Sequence, residues 1–262
     1  MRRSLPVVIV FALLCARAQE CTDRHLAAGV AEFNAAYQAW DGSRFRAAVA
    51  QFHQAASNAP TSSLVFYWLG TAEFHSMLHW QTLDPAPTPK SSADASRDAA
   101  LAALSRAIKL DERHAESHAL LGTLYGMKIG GNLLRAARYG PRVQKHCRKA
   151  LELDSDNPRV RYLIGTCQFH TAKTPADRRE ALASFLTADR LFAAEAKRSV
   201  EPLQPRWGRS SCRTFLGRAY ESLGQRREAA DAYRRALDEH PADHWAQKGL
   251  ARVTLDSEDT HE

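Results

Sequence analysis

Two pairs of histidines are spaced four residues apart, His75 with His79 and His114 with His118. Side chains at this spacing project from one face of a helix, so each pair could share a metal ion such as zinc. Neither pair encloses the glutamate of a metalloprotease helix, and no third ligand is evident from the sequence. Metal binding is therefore a weak hypothesis for these residues.

No other group of reactive side chains forms a recognisable catalytic pattern. The sequence has no Gly-rich phosphate loop, no nucleophile elbow and no pair of carboxylates in a familiar context. We therefore predict that the protein is not an enzyme and has no catalytic, cofactor-binding or metal-binding residues. Its function is expected to be the binding of a partner at its surface.

The first eighteen residues have the features of a secretory signal peptide. Arg2 and Arg3 precede an apolar stretch, residues 5–16, of about twelve residues. Ala16-Arg17-Ala18 supplies small residues before a cleavage point at Gln19. This predicts an exported chain, periplasmic or extracellular after cleavage of residues 1–18; an uncleaved membrane anchor is the alternative.

Charge gives a weaker indication of partners. The chain has 36 Lys and Arg against 29 Asp and Glu, a formal charge of +7, which falls to +4 if residues 1–18, with three arginines, are removed. This mild excess does not predict nucleic-acid binding. Between Ser117 and Leu151, however, there are seven basic residues and no acid. The run could attach to an anionic lipid surface, although a solvated helix face is the commoner explanation.

A repeat is clearest from Ser210 to Asp243. Seven of its residues occupy fixed small and large positions: Leu216, Gly217, Tyr220, Ala229, Tyr233, Ala236 and Pro241. A small residue on each helix of a pair allows the two backbones to approach, and a proline ends the second helix because it lacks the N–H of the ladder. We expect Gly217 and Ala229 to face each other at the crossing of the two helices.

This pattern closely resembles the tetratricopeptide (TPR) repeat, except for Arg213 at a usual aromatic position. Weaker copies precede it: residues 26–60, 66–107, 118–150 and 161–188 keep the order of small and large residues. The resemblance implies an all-α fold, a TPR-like α-α superhelical solenoid of about five helix pairs with a C-terminal capping helix over residues 242–255. Units of this kind stack because each alone leaves an apolar face exposed.

The predicted layout is a single TPR-like helical domain, residues 26–255, followed by an acidic tail, 256–262. Two insertions interrupt the repeats: a Pro-rich loop at 80–94 and a basic, Gly-containing segment at 128–140 that could include a short helix. A third lengthening, 193–208, breaks at Pro202 and Pro205. From Asn157-Pro158-Arg159 and Pro205-Arg206-Trp207-Gly208 onward, the chain also resembles exported bacterial TPR proteins of uncharacterised function.

The resemblance also assigns residues to a concave groove that holds a protein or peptide. The side chains carried over to groove positions are Tyr67, Thr71, Phe74, Thr123, Arg159, Tyr162, Thr166, Phe169 and Arg218. The Tyr-Thr-Phe set occurs twice, and aromatic residues with arginine are typical of binding hot spots. The alternative is that these aromatics pack inward. The lysines and asparagines with which related domains clamp a C-terminal carboxylate are absent, so that mode of binding is not expected.

Two cysteines complete the candidates. The resemblance places Cys147 and Cys167 on adjacent helices of repeats three and four, where a disulfide is one alternative and two buried free thiols the other. The resulting hypothesis is an exported TPR scaffold that binds a protein or peptide. Attachment to an envelope surface through the basic third repeat, and a metal-binding protein or enzyme, are the alternatives. The sequence does not indicate an oligomeric state.

Overall fold

The computed structural model describes residues 5–82, 90–199 and 201–258. In these ranges the chain forms α-helices and no strand. The helices are α1 (Leu5–Ala39), α2 (Gly42–Asn58), α3 (Ser63–Thr82), α4 (Lys90–Leu110), α5 (Ala115–Ile129), α6 (Leu133–Leu153), α7 (Pro158–Thr171), α8 (Pro175–Glu195), α9 (Arg209–Ser222), α10 (Arg226–Glu239) and α11 (His244–Glu258). Successive pairs match the predicted repeats, and α11 matches the capping helix, so the predicted fold class is confirmed.

The helices begin where the sequence provides capping side chains. The Asp41 carboxylate accepts a hydrogen bond from the backbone N–H of Ser43 at the start of α2. Asn157 caps α7 ahead of Pro158, and Thr174 forms a capping box with Asp177 at the start of α8. These side chains satisfy N–H groups that have no partner inside the helix.

Some predicted boundaries shift. Helix α3 continues to Thr82 and α4 begins at Lys90, so both ends of the predicted 80–94 loop are helical and residues 83–89 lie outside the described residues. The 128–140 segment contains a turn at Gly130-Gly131, both with positive φ, and then the first turns of the long helix α6. Helix α6 continues through Pro141, although an interior proline removes one N–H from the ladder and its ring crowds the carbonyl four residues earlier.

The two chain ends also differ in detail from the prediction. Helix α1 is continuous across the predicted cleavage point at Gln19, and α11 extends to Glu258, inside the predicted acidic tail. Residues 1–4 and 259–262 lie outside the described residues. No helix of the described chain is both long enough and apolar enough to cross a lipid bilayer.

The chain divides into two compact units, one of residues 1–37 and 41–112 and the other of residues 38–40 and 113–262. In the first, a Cβ on Gly29 or Gly70 would meet Phe52 or Leu104 of the following helix at 2.5 Å. In the second, a Cβ on Gly165 would meet Phe185 of the following helix at 2.7 Å, and a Cβ on Gly217 would meet Tyr233 at 2.5 Å. Glycine at this position therefore makes room for a large side chain of the partner helix in both units.

The space beside Gly217 is filled by a tyrosine of the next helix. The heavy atoms nearest to a Cβ on Gly217 all belong to the Tyr233 ring, at 2.5–2.7 Å. A Cβ on Gly249 of α11 would also meet Tyr233. The tyrosine ring, which is fully buried, therefore lies between two glycines. The bulky ring requires both openings, and Ala229 is buried in the same core.

Candidate functional site

Helices α7 and α9 of the second unit present a cluster of aromatic side chains that is only partly buried. Phe169 of α7 and Phe215 of α9 are half-buried, and their ring centroids lie 5.9 Å apart in an edge-to-face arrangement. Tyr162, which precedes Phe169 on α7, is buried and packs its ring 6.0 Å from that of Phe215. We call Phe169, Phe215 and Arg218 the α7–α9 face.

Arg218 lies over both phenylalanines. Its guanidinium carbon is 4.7 Å from the ring centroid of Phe215 and 5.1 Å from that of Phe169. Contact with an aromatic face attracts the cation without using its N–H groups as donors to an oxygen acceptor. Burial lowers the pKa of Arg218, yet arginine keeps its charge at neutral pH.

The acid nearest in sequence to Arg218 has other partners. Glu221 forms an ion pair with Arg252 of α11, with 2.8 Å between Oε2 and an Nη atom, and accepts a hydrogen bond from the Tyr233 hydroxyl at 2.9 Å. The hydrogen bond from Arg252 lowers the pKa of Glu221. Across the described ranges, Arg218 itself donates no hydrogen bond and forms no ion pair. Its donors are therefore available to a ligand.

His170 completes the edge of the face. Its ring centroid is 5.7 Å from that of Phe215 and 5.6 Å from that of Phe169. Burial, and then the charge of Arg218, lower the pKa of this histidine. A neutral imidazole is consistent with a surface that carries one cation, because a second positive charge beside Arg218 would be repelled.

The nine predicted groove residues have different environments. Six of them are buried, namely Tyr67, Thr71, Phe74, Arg159, Tyr162 and Thr166, and three are half-buried, namely Thr123, Phe169 and Arg218. The structure brings Tyr162, Phe169 and Arg218 together on α7 and α9. Sequence reasoning did not find Phe215, which immediately precedes Leu216 of the repeat pattern. Its place three residues before the predicted groove residue Arg218, on the same helix face, was the available signal.

Arg159 is engaged inside the unit. Its guanidinium contacts Glu116 of α5 at 2.8 Å and Glu195 of α8 at 2.5 Å, and Asn157 also donates to Glu116. Only 4% of the residue is exposed. Arg159 therefore joins three helices, and its charge is already balanced by two carboxylates.

Arg213, the departure from the repeat pattern, has a similar environment. It is buried, with Asp189 of α8 at 3.0 Å and Glu239 of α10 at 2.9 Å. The ion pairs occupy the space that an aromatic side chain fills in the usual pattern. The substitution therefore joins helices α8, α9 and α10.

The corresponding aromatic residues of the first unit are closed in. His75 is buried, and its ring contacts those of Phe33, Tyr37, Phe45 and Phe74 at centroid distances of 5.1 to 6.2 Å. Its Nδ1 lies 2.8 Å from the backbone oxygen of Thr71. Burial lowers the pKa of His75 to about 4. This cluster forms a core in which the imidazole is neutral.

The first unit also has an open cleft of about 480 Å³ between α2, α3 and α4. Alanines, Phe66 and Leu69 form most of its wall, and Glu73, whose pKa is raised by burial, contributes a carboxyl group. Arg106 lies 5.9 Å from the Phe66 ring centroid, but it donates a hydrogen bond to the backbone oxygen of Pro60. The cleft thus contains an aromatic–arginine pair whose arginine is already engaged.

The histidine and cysteine candidates form smaller clusters. His114 caps α5, with its Nδ1 3.3 Å from the backbone nitrogen of Ser117. The Nδ1 atoms of His118 and of His146 on α6 are 3.0 Å apart. In the described ranges no three His, Cys, Asp or Glu side chains gather as they would around a metal ion.

Cys147 and Cys167 are adjacent, as expected, with 3.9 Å between their sulfur atoms, and both are free thiols. The hydrogen bond donated by Cys147 raises its own pKa and lowers that of Cys167. The disulfide is therefore not formed in this structure, although the two residues lie on neighbouring helices.

Comparison with solved structures shows the fold of the chain. The chain is similar to a thermophilic TPR protein from Thermus thermophilus, with a TM-score of 0.63 and 18% identity over 89% of this chain and 99% of the other. It is also similar to a chain of the APC/C hetero-tetramer Cut9-Hcn1, with a TM-score of 0.55 and 20% identity over 94% of this chain and 40% of the other. These similarities show a TPR-like fold.

The family follows from the sequence match. Residues 88–254 match the model of the family described as "Regulator of microtubule dynamics protein 1-3". This match covers more than half of the chain, and the chain belongs to that family. No curated protein shows a significant match to the chain.

Proposed function

We propose that this protein is a non-catalytic scaffold that binds a protein or peptide segment on the α7–α9 face. The observation that carries the proposal is the arrangement of Arg218, whose guanidinium lies over two half-buried phenylalanines and whose donors have no acceptor in the described chain. Aromatic and arginine side chains supply much of the binding energy in protein interfaces. Membership of a TPR-like fold class agrees with this role.

The face favours a particular partner chemistry. The rings of Phe169 and Phe215 offer apolar surface to a leucine or aromatic side chain. The Arg218 guanidinium offers a fork of N–H groups to a carboxylate. A segment with a bulky apolar residue close to an aspartate or glutamate satisfies both. This mode uses an internal acidic side chain and does not require the Lys and Asn clamp that the sequence lacks.

The test is selection of peptides from a displayed random library against the full-length protein, followed by fluorescence polarisation. The proposal predicts enriched peptides with an acidic residue near a large apolar one. Phe215→Ala and Arg218→Met should each weaken their binding by about tenfold. Phe66→Ala is the matched control, because Phe66 is also half-buried beneath an arginine but lies on α3. Unchanged affinity in both α7–α9 variants would reject the assignment.

Export is part of the same proposal. Arg2, Arg3, the apolar residues 5–16 and the small residues before Gln19 support cleavage and release into the periplasm or the extracellular space. Mass spectrometry of protein recovered from culture fractions tests this. A chain that begins at Gln19 outside the cytoplasm supports export, whereas an intact N-terminus in the cytoplasm contradicts it.

The family description supports a second candidate, binding to microtubules. Cosedimentation with stabilised microtubules tests it directly. Binding lost in the Arg218→Met variant would identify the filament as the partner of the α7–α9 face. No cosedimentation of the full-length protein would remove this candidate and leave the peptide proposal intact.

A further inference from the structure

The turn between α5 and α6 exposes two large apolar side chains. Leu133 and Leu134 are 86% and 84% exposed, more than any other large hydrophobic residue whose burial the structure describes. They follow Gly130 and Gly131, and Asn132 fixes the helix start by accepting a hydrogen bond from the N–H of Arg135 at 3.0 Å. The two leucines therefore protrude from an ordered turn, which we call the α6 tip.

Basic residues continue from the tip along the exposed side of α6. At 100° per residue, Leu134 shares an arc of about 120° with five cations. These are Arg138, Arg142, Lys145, Arg148 and Lys149. The opposite side of the helix carries Ala150, which is buried, and the half-buried Val143 and Cys147. Helix α6 is therefore amphipathic, with a cationic outer side that ends in exposed leucines.

No acid of the same segment offsets these cations. The chain has no Asp or Glu between Glu116 and Glu152. Arg142 lies 5.4 Å from the ring centroid of Tyr125 and 5.9 Å from that of Tyr139, and Arg138 lies 5.5 Å from that of Tyr139. The two tyrosine rings thus lie against the guanidinium groups of Arg138 and Arg142, which remain exposed to solvent.

We propose that the α6 tip and its cationic side dock this protein on an anionic lipid bilayer, independently of peptide binding at the α7–α9 face. Charge complementarity indicates an anionic partner. The protruding leucines favour a bilayer over an acidic protein, because a membrane interface accepts apolar side chains without a matching pocket. A few cations and a small apolar insertion are each weak membrane signals, and together they give stable, salt-dependent attachment.

The test is hydrogen exchange of the full-length protein, followed by mass spectrometry with and without lipid vesicles. Vesicles contain phosphatidylcholine alone or equal parts of phosphatidylcholine and phosphatidylglycerol. The proposal predicts protection of residues 130–142 by the anionic vesicles at low salt, lost at high salt and absent with phosphatidylcholine alone. This local readout separates the tip from the apolar N-terminal segment, which every variant shares.

Two variants should remove the protection. Leu133→Ser with Leu134→Ser should weaken vesicle binding by about tenfold for each leucine. Arg138→Gln, Lys145→Gln and Arg148→Gln together should weaken it by about fivefold for each cation. All these positions are exposed, so the fold should be retained.

Matched controls lie on other helices. Leu186→Ser with Leu255→Ser removes two exposed leucines, and Arg190→Gln, Arg227→Gln and Arg234→Gln remove three exposed cations. Both should leave protection of residues 130–142 unchanged. An absence of protection in the wild-type protein would overturn the proposal. So would protection by soluble polyglutamate but not by vesicles, which would identify an acidic protein as the partner.

Discussion

The same three side chains occur on α3 and on α7 but have different exposure. Tyr67, Thr71 and Phe74 on α3 are all buried. On α7, Tyr162 and Thr166 are buried, but Phe169 is half-buried and lies beneath Arg218. The two sets therefore occupy equivalent repeat positions, but the side chains that surround them differ. The difference shows that one repeat pattern can produce either a sealed core or an open face, depending on its neighbours.

The neighbours explain the two outcomes. On α3, the residue after Phe74 is His75, a neutral imidazole packed among the rings of Phe33, Tyr37 and Phe45. On α7, the residue after Phe169 is His170, which lies at the edge of Phe215. Because Arg218 is charged, it keeps one side near water. A sealed aromatic cluster contributes to stability, whereas an open one is available for binding.

The largest contrast is expected from truncating the third residue of each set. Phe74→Ala should lower the free energy of unfolding by about 3–5 kcal/mol, the cost of a cavity in a closed core. Phe169→Ala removes a ring that is already partly in water and should cost about 1–2 kcal/mol. Urea denaturation measures both. Equal losses would show that the two clusters are equally closed.

Acid should destabilise the sealed cluster through His75. Its pKa is about 4 in the folded protein and about 6.5 when unfolded, so the unfolded state binds the proton first. The stabilisation that comes from keeping His75 neutral is complete above pH 6.5 and is lost as the pH falls toward 4. The total loss, reached below both pKa values, is about 3 kcal/mol. Urea denaturation across this range tests it: His75→Gln should reduce the pH dependence without abolishing it, because burial also lowers the pKa of His146 to about 4. His53→Gln, at an exposed site, should leave it unchanged.

A substitution at Gly217 tests the packing of α9 against Tyr233. Gly217→Ala places a methyl group against Tyr233, which has Gly249 on its other side, and should destabilise the protein by about 1–3 kcal/mol. Gly126→Ala is the control, because an added Cβ there meets nothing within 4 Å; it should stabilise α5 by about 0.5–1 kcal/mol. Thermal unfolding distinguishes the two. A neutral Gly217→Ala variant would contradict the packing described for Tyr233.

Arg218→Lys should have the smallest effect on stability and a clear effect on binding. Lysine keeps the charge but loses the planar guanidinium that lies against Phe169 and Phe215. We expect a change in unfolding free energy within about 0.5 kcal/mol and a several-fold weaker affinity for the selected peptides. Parallel urea and polarisation titrations measure the two. Full affinity in this variant would mean that charge alone matters.

Repeat spacing predicted most of the fold because small residues at helix crossings leave a strong periodic signal. The seven spaced residues from Leu216 to Pro241 identified a helix pair. Exposure was not predictable, since Tyr67 and Arg159 occupy groove positions by register but are closed in by residues distant in sequence. Phe215 was missed because it is not one of the repeat positions, and only its spacing of three residues from Arg218 pointed to it.

The most direct test of the account is a photo-crosslink from the α7–α9 face to a selected peptide. Phe215 is replaced by p-benzoylphenylalanine, and Leu186, exposed on α8, is replaced in the same way as the control. The account predicts that the peptide is crosslinked from position 215 and not from position 186. Crosslinking from position 186 alone, or from neither position while the peptide remains bound, would contradict it.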